Sequence, residues 1–388
     1  MKSRLASLFL RCLAVISIAA ILCSCSANGS LIYYTLQNEK KTQDSSMPND
    51  VTIFDVVKYP ATAGGNYYAA AGAVWKSPVS SIAWDIANPI APPRPGAMCN
   101  ALVLFSNSLC GGFFLPGDSA NGSSNLGLFQ SKGDPATFAG QQAKLSQQVT
   151  LLTVVTVGTT EHLLVATAEQ ANPGENYYYC LYDTTDLSTF TPIIQNGTAP
   201  GPARTPITGI AHTSSGGEKY WATTAETSTL QSTLFVWDIN ASTLSVSPPS
   251  FSSESLRHIY SDDQAQNLFI STGQGRVYYS SNAGTTWTGS TQQIVSTNVV
   301  KLDGISGSSA SAMLVGSELY GYYIMTLGGT PAPVLNRASP STISLYGAVV
   351  RKLVIDGPRV FACTSGNGLW RGETFHPADG SVDTWYQE

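Results

Sequence analysis

The 388 residues carry 12 % charged and 43 % hydrophobic side chains, with 35 glycines, 21 prolines and a net charge of −5. Long solvent-facing helices need more Lys, Glu and Arg, and disorder needs fewer apolar residues, so short strands and frequent turns are the expected content. An acidic chain without a basic run offers little to phosphate backbones, which removes nucleic acid as a partner.

In chain order, MKSRLASLFLR (1–11) is a basic start and CLAVISIAAIL (12–22) an apolar core of 11 residues. That core is shorter than the ~20 residues of a membrane-crossing helix and reads as an export signal. It ends in Leu22, Cys23, Ser24 and Cys25, which resembles a bacterial lipobox in the looser form found in spirochaetes. The resemblance implies that residues 1–24 are a lipoprotein signal peptide and that Cys25 is acylated, for example by palmitate. The lipid bilayer is then a partner through acyl chains rather than a protein span. An ordinary secretory peptide is the alternative. The chain left after cleavage loses Lys2, Arg4 and Arg11 and stands at −8.

Residues 25–50 are mostly polar and read as a tether, interrupted by LIYYTLQ (31–37), which has the composition of a strand. From residue 51 to 388 the sequence repeats. Tyr68, Phe114, Val165, Trp221, Phe269, Leu314 and Phe361 mark seven similar apolar segments, spaced 45 to 56 residues apart. Each unit reads as four short strands: in the fifth they are LRHIYSD, NLFISTG, RVYYSSN and TTWTGS. A lone four-stranded sheet cannot bury both faces, whereas a ring of such sheets can. The expectation is an all-β β-propeller of seven four-stranded blades, with six or eight left open by the weaker segments.

The fifth unit also carries Ser280, Asn282, Gly284, Thr286 and Trp287 as S-x-N-x-G-x-T-W, which resembles the Asp-box (BNR) motif of some propellers, with Asn in place of Asp. The resemblance implies a structural turn: the side chain of Asn282 caps the turn's amides, Gly284 supplies backbone freedom, and Trp287, on the fourth strand, packs over the hairpin. Weaker echoes flank DTTDLST (Tyr182 and Phe190), and the pairs Trp75/Trp84 and Phe129/Phe138 have similar spacing.

Asp-box propellers include sialidases, so a sialidase-like or other glycan-active hydrolase is the alternative function. The family's early R-I-P segment is absent, PPRPGAM around Arg94 does not replace it, and no paired carboxylates can be located. GISGS (304–308) lacks the spacing of a nucleophile elbow. His162, His212, His258 and His376 fall in different units, with no HExxH, so no metal site and no cofactor are predicted. Asp262 and Asp263 read as turn residues. Cys99, Cys110, Cys180 and Cys363 permit three disulfide pairings in an exported chain; spacing selects none, and a hairpin turning near Asn107 would not place Cys99 opposite Cys110.

The loops carry the functional expectation. Between the second and third strands they are tiny in units five and seven (GQG, GNG) and long in units two, three and four (116–125, 169–176, 225–233). Asp118, Asn121, Asn172, Glu175, Tyr177, Ser228 and Gln231 are the candidate binding residues of that sector. Strand alternation turns at least one of Tyr177, Tyr178 and Tyr179 toward the core. The predicted function is a non-catalytic binding or scaffolding module for an envelope protein or glycan. The outer membrane is the preferred location, and periplasmic and surface orientations both remain open.

Overall fold

Segments rich in Val, Ile, Leu, Tyr and Thr, bounded by Gly, Asn and Pro, favour antiparallel strands joined by tight turns. The computed structural model describes residues 47–48, 50–60, 64–81, 83–116, 125–133, 136–169, 177–195, 205–225, 232–246, 254–262, 267–290, 302–304, 312–317, 321–327, 333–337, 345, 347–376 and 380–388. Among them there is no α-helix, and the strands form seven antiparallel sheets. The signal segment, Cys25 and LIYYTLQ lie outside the described residues.

The first sheet contains β1 (Asp55–Tyr59), β2 (Asn66–Ala71) and β3 (Ala73–Pro78), and the second β4 (Met98–Phe105), β5 (Ser108–Phe114) and β6 (Asn125–Gln130). The third contains β7 (Gln148–Val157), β8 (Thr160–Glu169), β9 (Tyr178–Thr184) and β10 (Thr191–Ile194). The fourth contains β11 (Ile207–Thr213), β12 (Lys219–Thr224), β13 (Leu234–Asp238) and β14 (Thr243–Val246). The fifth contains β15 (Leu256–Asp262), β16 (Asn267–Thr272), β17 (Val277–Ser280) and β18 (Thr288–Gly289). The sixth contains β19 (Leu302–Gly304), β20 (Ala312–Gly316), β21 (Tyr322–Leu327) and β22 (Pro333–Arg337). The seventh contains β23 (Val349–Asp356), β24 (Arg359–Ser365), β25 (Leu369–His376) and β26 (Ser381–Gln387). Each is a meander in chain order, and together they make a β-propeller.

Packing explains which segments stood out in the sequence. The seven marker residues, Tyr68 to Phe361, all lie on the second strand of their sheet. Those strands are buried almost end to end because a neighbouring sheet covers each of their two faces. Seven apolar clusters sit at the contacts between sheets. One joins the first and second sheets through Tyr68, Phe113 and Phe138, and the next joins the second and third through Phe105, Leu152 and Leu163. The series continues around to Leu314, Leu353 and Trp385 between the sixth and seventh.

The last contact joins the two ends of the described chain. Met47, Ile53, Val56, Tyr67 and Trp75 pack with Phe361, Cys363 and Leu369 of the seventh sheet. The rings of Tyr67 and Phe361 meet edge to face at 4.7 Å. Backbone bonds run from Ile53 N–H to Thr364 O (2.9 Å) and from Gly368 N–H to Val51 O (3.1 Å). Met47, within the expected polar tether, is therefore part of this apolar cluster.

Two differences from the expected strands have physical causes. The first and second sheets have three named strands, and isolated bridges stand where a fourth strand was expected: Ile90 pairs with Val74 in the first, and Leu145 with Leu128 and Thr137 with Lys132 in the second. Pro89, Pro92, Pro93 and Pro95 lack the N–H that a continuous ladder around Ile90 needs, and Trp84 is buried outside any strand. Trp287 stands one residue before β18 rather than on it. Asp262 closes β15, and Asp263 lies outside the described residues.

Because Phe361 fills the contact between the first and last sheets, Phe361→Ala is expected to lower stability by about 3–5 kcal/mol. Urea unfolding followed by tryptophan fluorescence checks this; an unchanged midpoint would contradict the packing.

Candidate functional site

In an antiparallel meander the connections between second and third strands emerge at the same end of the sheet as those between sheets. At that end the second-to-third connections cover 115–124, 170–177 and 225–233 in the second, third and fourth sheets. Elsewhere they are short: Gly72 in the first sheet, 273–276 in the fifth, 317–321 in the sixth and 366–368 in the seventh. Of the predicted residues, Asp118, Asn121, Asn172, Glu175, Ser228 and Gln231 lie outside the described residues. Tyr177 is 40 % exposed, Tyr178 is half-buried, and Tyr179 packs on the cluster between the third and fourth sheets.

Buried threonines close off several of these connections. Thr224 Oγ1 accepts from Thr233 N–H (2.9 Å), Thr272 Oγ1 accepts from Arg276 N–H (3.2 Å), and the Thr364 hydroxyl donates to Gly368 O (2.6 Å). A loop that spans nine residues and one that spans three are thus tied at a similar point, so length can vary without disturbing the sheet.

The innermost strands enclose a cavity of about 510 Å³, lined by residues of β1, β4 and β23 with Tyr67 and Tyr260. Its charged groups are matched in sign: Lys352 pairs with Asp55, and Lys58 with Asp356 at 3.1 Å. The Tyr67 hydroxyl donates to Asp356 (2.5 Å), and burial, then that carboxylate, push its pKa up to about 12.

Above this cavity the first strands share an irregularity. Pairing of first with second strand shifts by one residue at Asn100, Thr150, Thr208, Arg257 and Arg351, in the second, third, fourth, fifth and seventh sheets. The bulged residue is polar each time, although its neighbours are largely apolar. A bulge turns one side chain out of the strand's alternation. Because the register is equivalent in five sheets, the bulges lie at one level of the first strands, near their loop-bearing end; Asn100 Nδ2 donates there to Val149 O (2.9 Å), and the Thr208 hydroxyl bonds Thr223.

The turn of the fifth sheet is built from its own side chains. Ser280 Oγ accepts from Gly284 N–H (2.9 Å), and Asn282 Oδ1 accepts from Thr286 N–H (2.9 Å). Half-buried Trp287 packs on the cluster between the fourth and fifth sheets. Gly284 has φ +77°, and a Cβ there would come within 2.3 Å of the Trp221 ring on β12. The third sheet repeats the design with an acid. Thr184 Oγ1 accepts from Leu187 N–H (3.0 Å), and Asp186 accepts from Ser188 (2.8 Å) and Thr189 (3.0 Å) amides. Hydrogen bonds from Ser188 and Thr189 lower the Asp186 pKa to about 2. The sequence showed this turn only as a faint echo, because Thr184, Ser188 and Phe190 stand in place of the motif's Ser, Gly and Trp.

Two histidines predicted to be scattered are brought into one group. His162 Nδ1 meets Asp183 at 2.9 Å and the Tyr220 hydroxyl at 3.0 Å, while His212 Nε2 meets Glu218 at 2.5 Å and its ring lies 5.9 Å from Tyr220. This polar seam joins the third and fourth sheets, and among the described residues no group of three or more His, Cys, Asp or Glu is arranged to hold a metal. Arg359 and Arg371 share Glu373, so neither is uncommitted. Cys99, Cys110, Cys180 and Cys363 are buried thiols, and the Ser106–Asn107 turn leaves Cys99 opposite Phe113 and Cys110 opposite Val103. Burial pushes both the Cys99 and the Cys110 thiol up to about 12.

No protein-family model matches the chain, and no curated protein matches it. Solved structures do. YCF48 bound to a D1 peptide superposes with TM-score 0.51 at 13 % identity, covering 84 % of this chain and 92 % of that one. Chaetomium thermophilum Sqt1 bound to the N-terminus of ribosomal protein L10 gives TM-score 0.56 at 12 % identity, covering 88 % of each chain. The WD40 repeats of RRP9 give 0.53 at 11 %, covering 88 % of this chain and 95 % of that one. At these identities the likeness shows the β-propeller fold and nothing finer.

Gly284→Ala is expected to lower the thermal midpoint, since the new methyl group meets Trp221 and the backbone is left-handed. A variant that melts with the parent would contradict the turn geometry. The high thiol pKa keeps Cys99 and Cys110 protonated at mildly alkaline pH, so a thiol-reactive dye should label them only on unfolding; rapid labelling of the folded chain would contradict their burial.

Proposed function

We propose that the chain is an exported, lipid-anchored propeller of seven blades that works as a non-catalytic binding or scaffolding module in a bacterial cell envelope. The observation that carries the binding role is the asymmetry of the loop-bearing end. Three consecutive sheets extend long second-to-third connections, while the remaining sheets keep theirs to a few residues. A rigid ring that concentrates its longest loops in one sector offers a partner one continuous surface. An envelope protein is the preferred partner over a glycan. Half-exposed Tyr177, at the edge of the third sheet's loop, supplies aromatic contact area. The YCF48 and Sqt1 structures were solved with a peptide and a protein N-terminus bound, which supports a protein ligand for a propeller of this kind.

The blade number rests on seven sheets with seven apolar contacts among the described residues. We read the turn from Ser280 to Trp287 as an Asp-box with a scaffolding role, in keeping with its inward hydrogen bonds. Export and anchoring rest on the basic start, the short apolar core and the Leu22–Cys25 lipobox. The outer membrane is the expected location.

Two measurements test this reading. Metabolic labelling with a palmitate analogue should mark the chain and be lost in Cys25→Ala; equal labelling of that variant would remove the anchor. A photo-crosslinker at Tyr177 in whole cells should capture one predominant envelope protein, while one at Gln274, in the short fifth-sheet loop, should not. Equal capture from both positions, or turnover of chromogenic glycosides by the purified chain, would overturn the binding-sector reading.

A further inference from the structure

The wall of the central cavity carries two ion pairs of opposite sense, both at the seam of the first and seventh sheets. Lys352 of β23 meets Asp55 of β1, and further along β23 Asp356 meets Lys58 of β1. Asp55 is nearly enclosed and also accepts from the Val56 amide (2.9 Å). The other three groups are open to the space they line: the side chains of Lys352, Lys58 and Asp356 are 25 %, 25 % and 31 % exposed. A carboxylate has about four acceptor sites. On Asp356 the Lys58 ammonium reaches both oxygens (3.3 and 3.1 Å) and the Tyr67 hydroxyl reaches one (2.5 Å), which leaves room for a further donor.

The arrangement of charge says which ligand fits. Two lysines and two aspartates line the cavity, so their charges sum to zero and neither a lone anion nor a lone cation is favoured. Along β23, however, an acid and an ammonium stand apart: Lys352 and Asp356 are separated by about 13 Å of strand. A dipolar ligand of that length gains at both ends, whereas a neutral sugar gains at neither. An extended chain of three residues with free ends spans about 10 Å, and the long lysine side chain makes up the difference. Between the charged ends the lining is aliphatic, with half-buried Val57, Val103 and Leu104. A volume of about 510 Å³ on the innermost strands is the size of a preformed small-ligand site.

We propose that the central cavity binds a free oligopeptide of about three small residues, its ammonium at Asp356 and its carboxylate at Lys352. The two ends of a folded partner do not lie at this spacing, so the ligand is a separate small molecule and not a part of whatever the long loops hold. The cavity site goes beyond the binding-sector reading and does not depend on it.

The test is calorimetric titration of the purified full chain in detergent, at low ionic strength, with trialanine, N-acetyl-trialanine, trialanine amide and trialanine capped at both ends. Trialanine should bind, weaken as salt is added, and exceed either singly capped peptide in affinity by ~10-fold or more. Asp356→Asn, which keeps an acceptor for Tyr67, should lower trialanine affinity ~10-fold and leave N-acetyl-trialanine, which has no ammonium to lose, unchanged. Lys352→Gln should do the same for trialanine and spare trialanine amide. Lys132→Gln, an exposed charge outside the cavity lining, should bind trialanine as the parent does. The comparison of four peptides on the parent chain needs no variant, so it decides even where a substitution prevents folding. Absence of trialanine binding, equal affinity for the peptide capped at both ends, or full trialanine affinity in a folded Asp356→Asn would overturn the proposal. The crosslink from Tyr177 tests the loop sector alone, so either reading can fall while the other stands.

Discussion

A sheet that is apolar on both faces is stable only between two neighbours. Chain connectivity gives the inner sheets of this protein a neighbour on each side, but it gives the first and last sheets only one. Their second faces meet each other. Tyr67, Val56 and Ile53 from one end of the described chain close on Phe361, Cys363 and Leu369 from the other. Lys58–Asp356 and Lys352–Asp55 bracket the seam. Partly exposed ion pairs of this kind contribute little net stability, so the apolar cluster holds the ring shut and the charges fix its register. Among the described residues no strand is shared across the closure: all four strands of the seventh sheet come from the C-terminal segment, and the three of the first sheet from the N-terminal one. The closure depends on side chains and on the backbone bonds at Ile53 and Gly368.

Closure frees the loop end for recognition. With core and seam supplying stability, second-to-third connections can differ several-fold in length between sheets that are otherwise alike. Buried threonines at their bases keep the sheet insensitive to that difference. The opposite turns, between third and fourth strands, satisfy their own amides with Ser280 and Asn282 or Thr184 and Asp186. Those side chains are spent on their own turns and serve the scaffold.

Sequence revealed the parts of this fold that burial makes uniform. Second strands are covered on both faces, so Tyr68, Val165, Phe269 and Phe361 recur in similar apolar settings and expose the period. Outer strands are held by fewer contacts and vary, which is why the fourth strands expected in the first two sheets are reduced to bridges. The union of His162 with Tyr220 and Asp183 was hidden, because it forms between sheets and leaves no local spacing. The bulges of the first strands were hidden for another reason. A polar residue two or three positions into a strand looks like ordinary alternation, and only the pairing register shows that it is an extra residue. Of the loop sector, the sequence yielded the unequal lengths, and Tyr177 stands exposed at its edge.

Native-state hydrogen exchange tests the closed ring most directly. If the first and seventh sheets cover each other, amides of β2 and β24 should exchange only by global opening, with the same protection as those of β12 on the far side. An open arrangement would let β2 and β24 exchange orders of magnitude faster than β12, and that result would contradict the account.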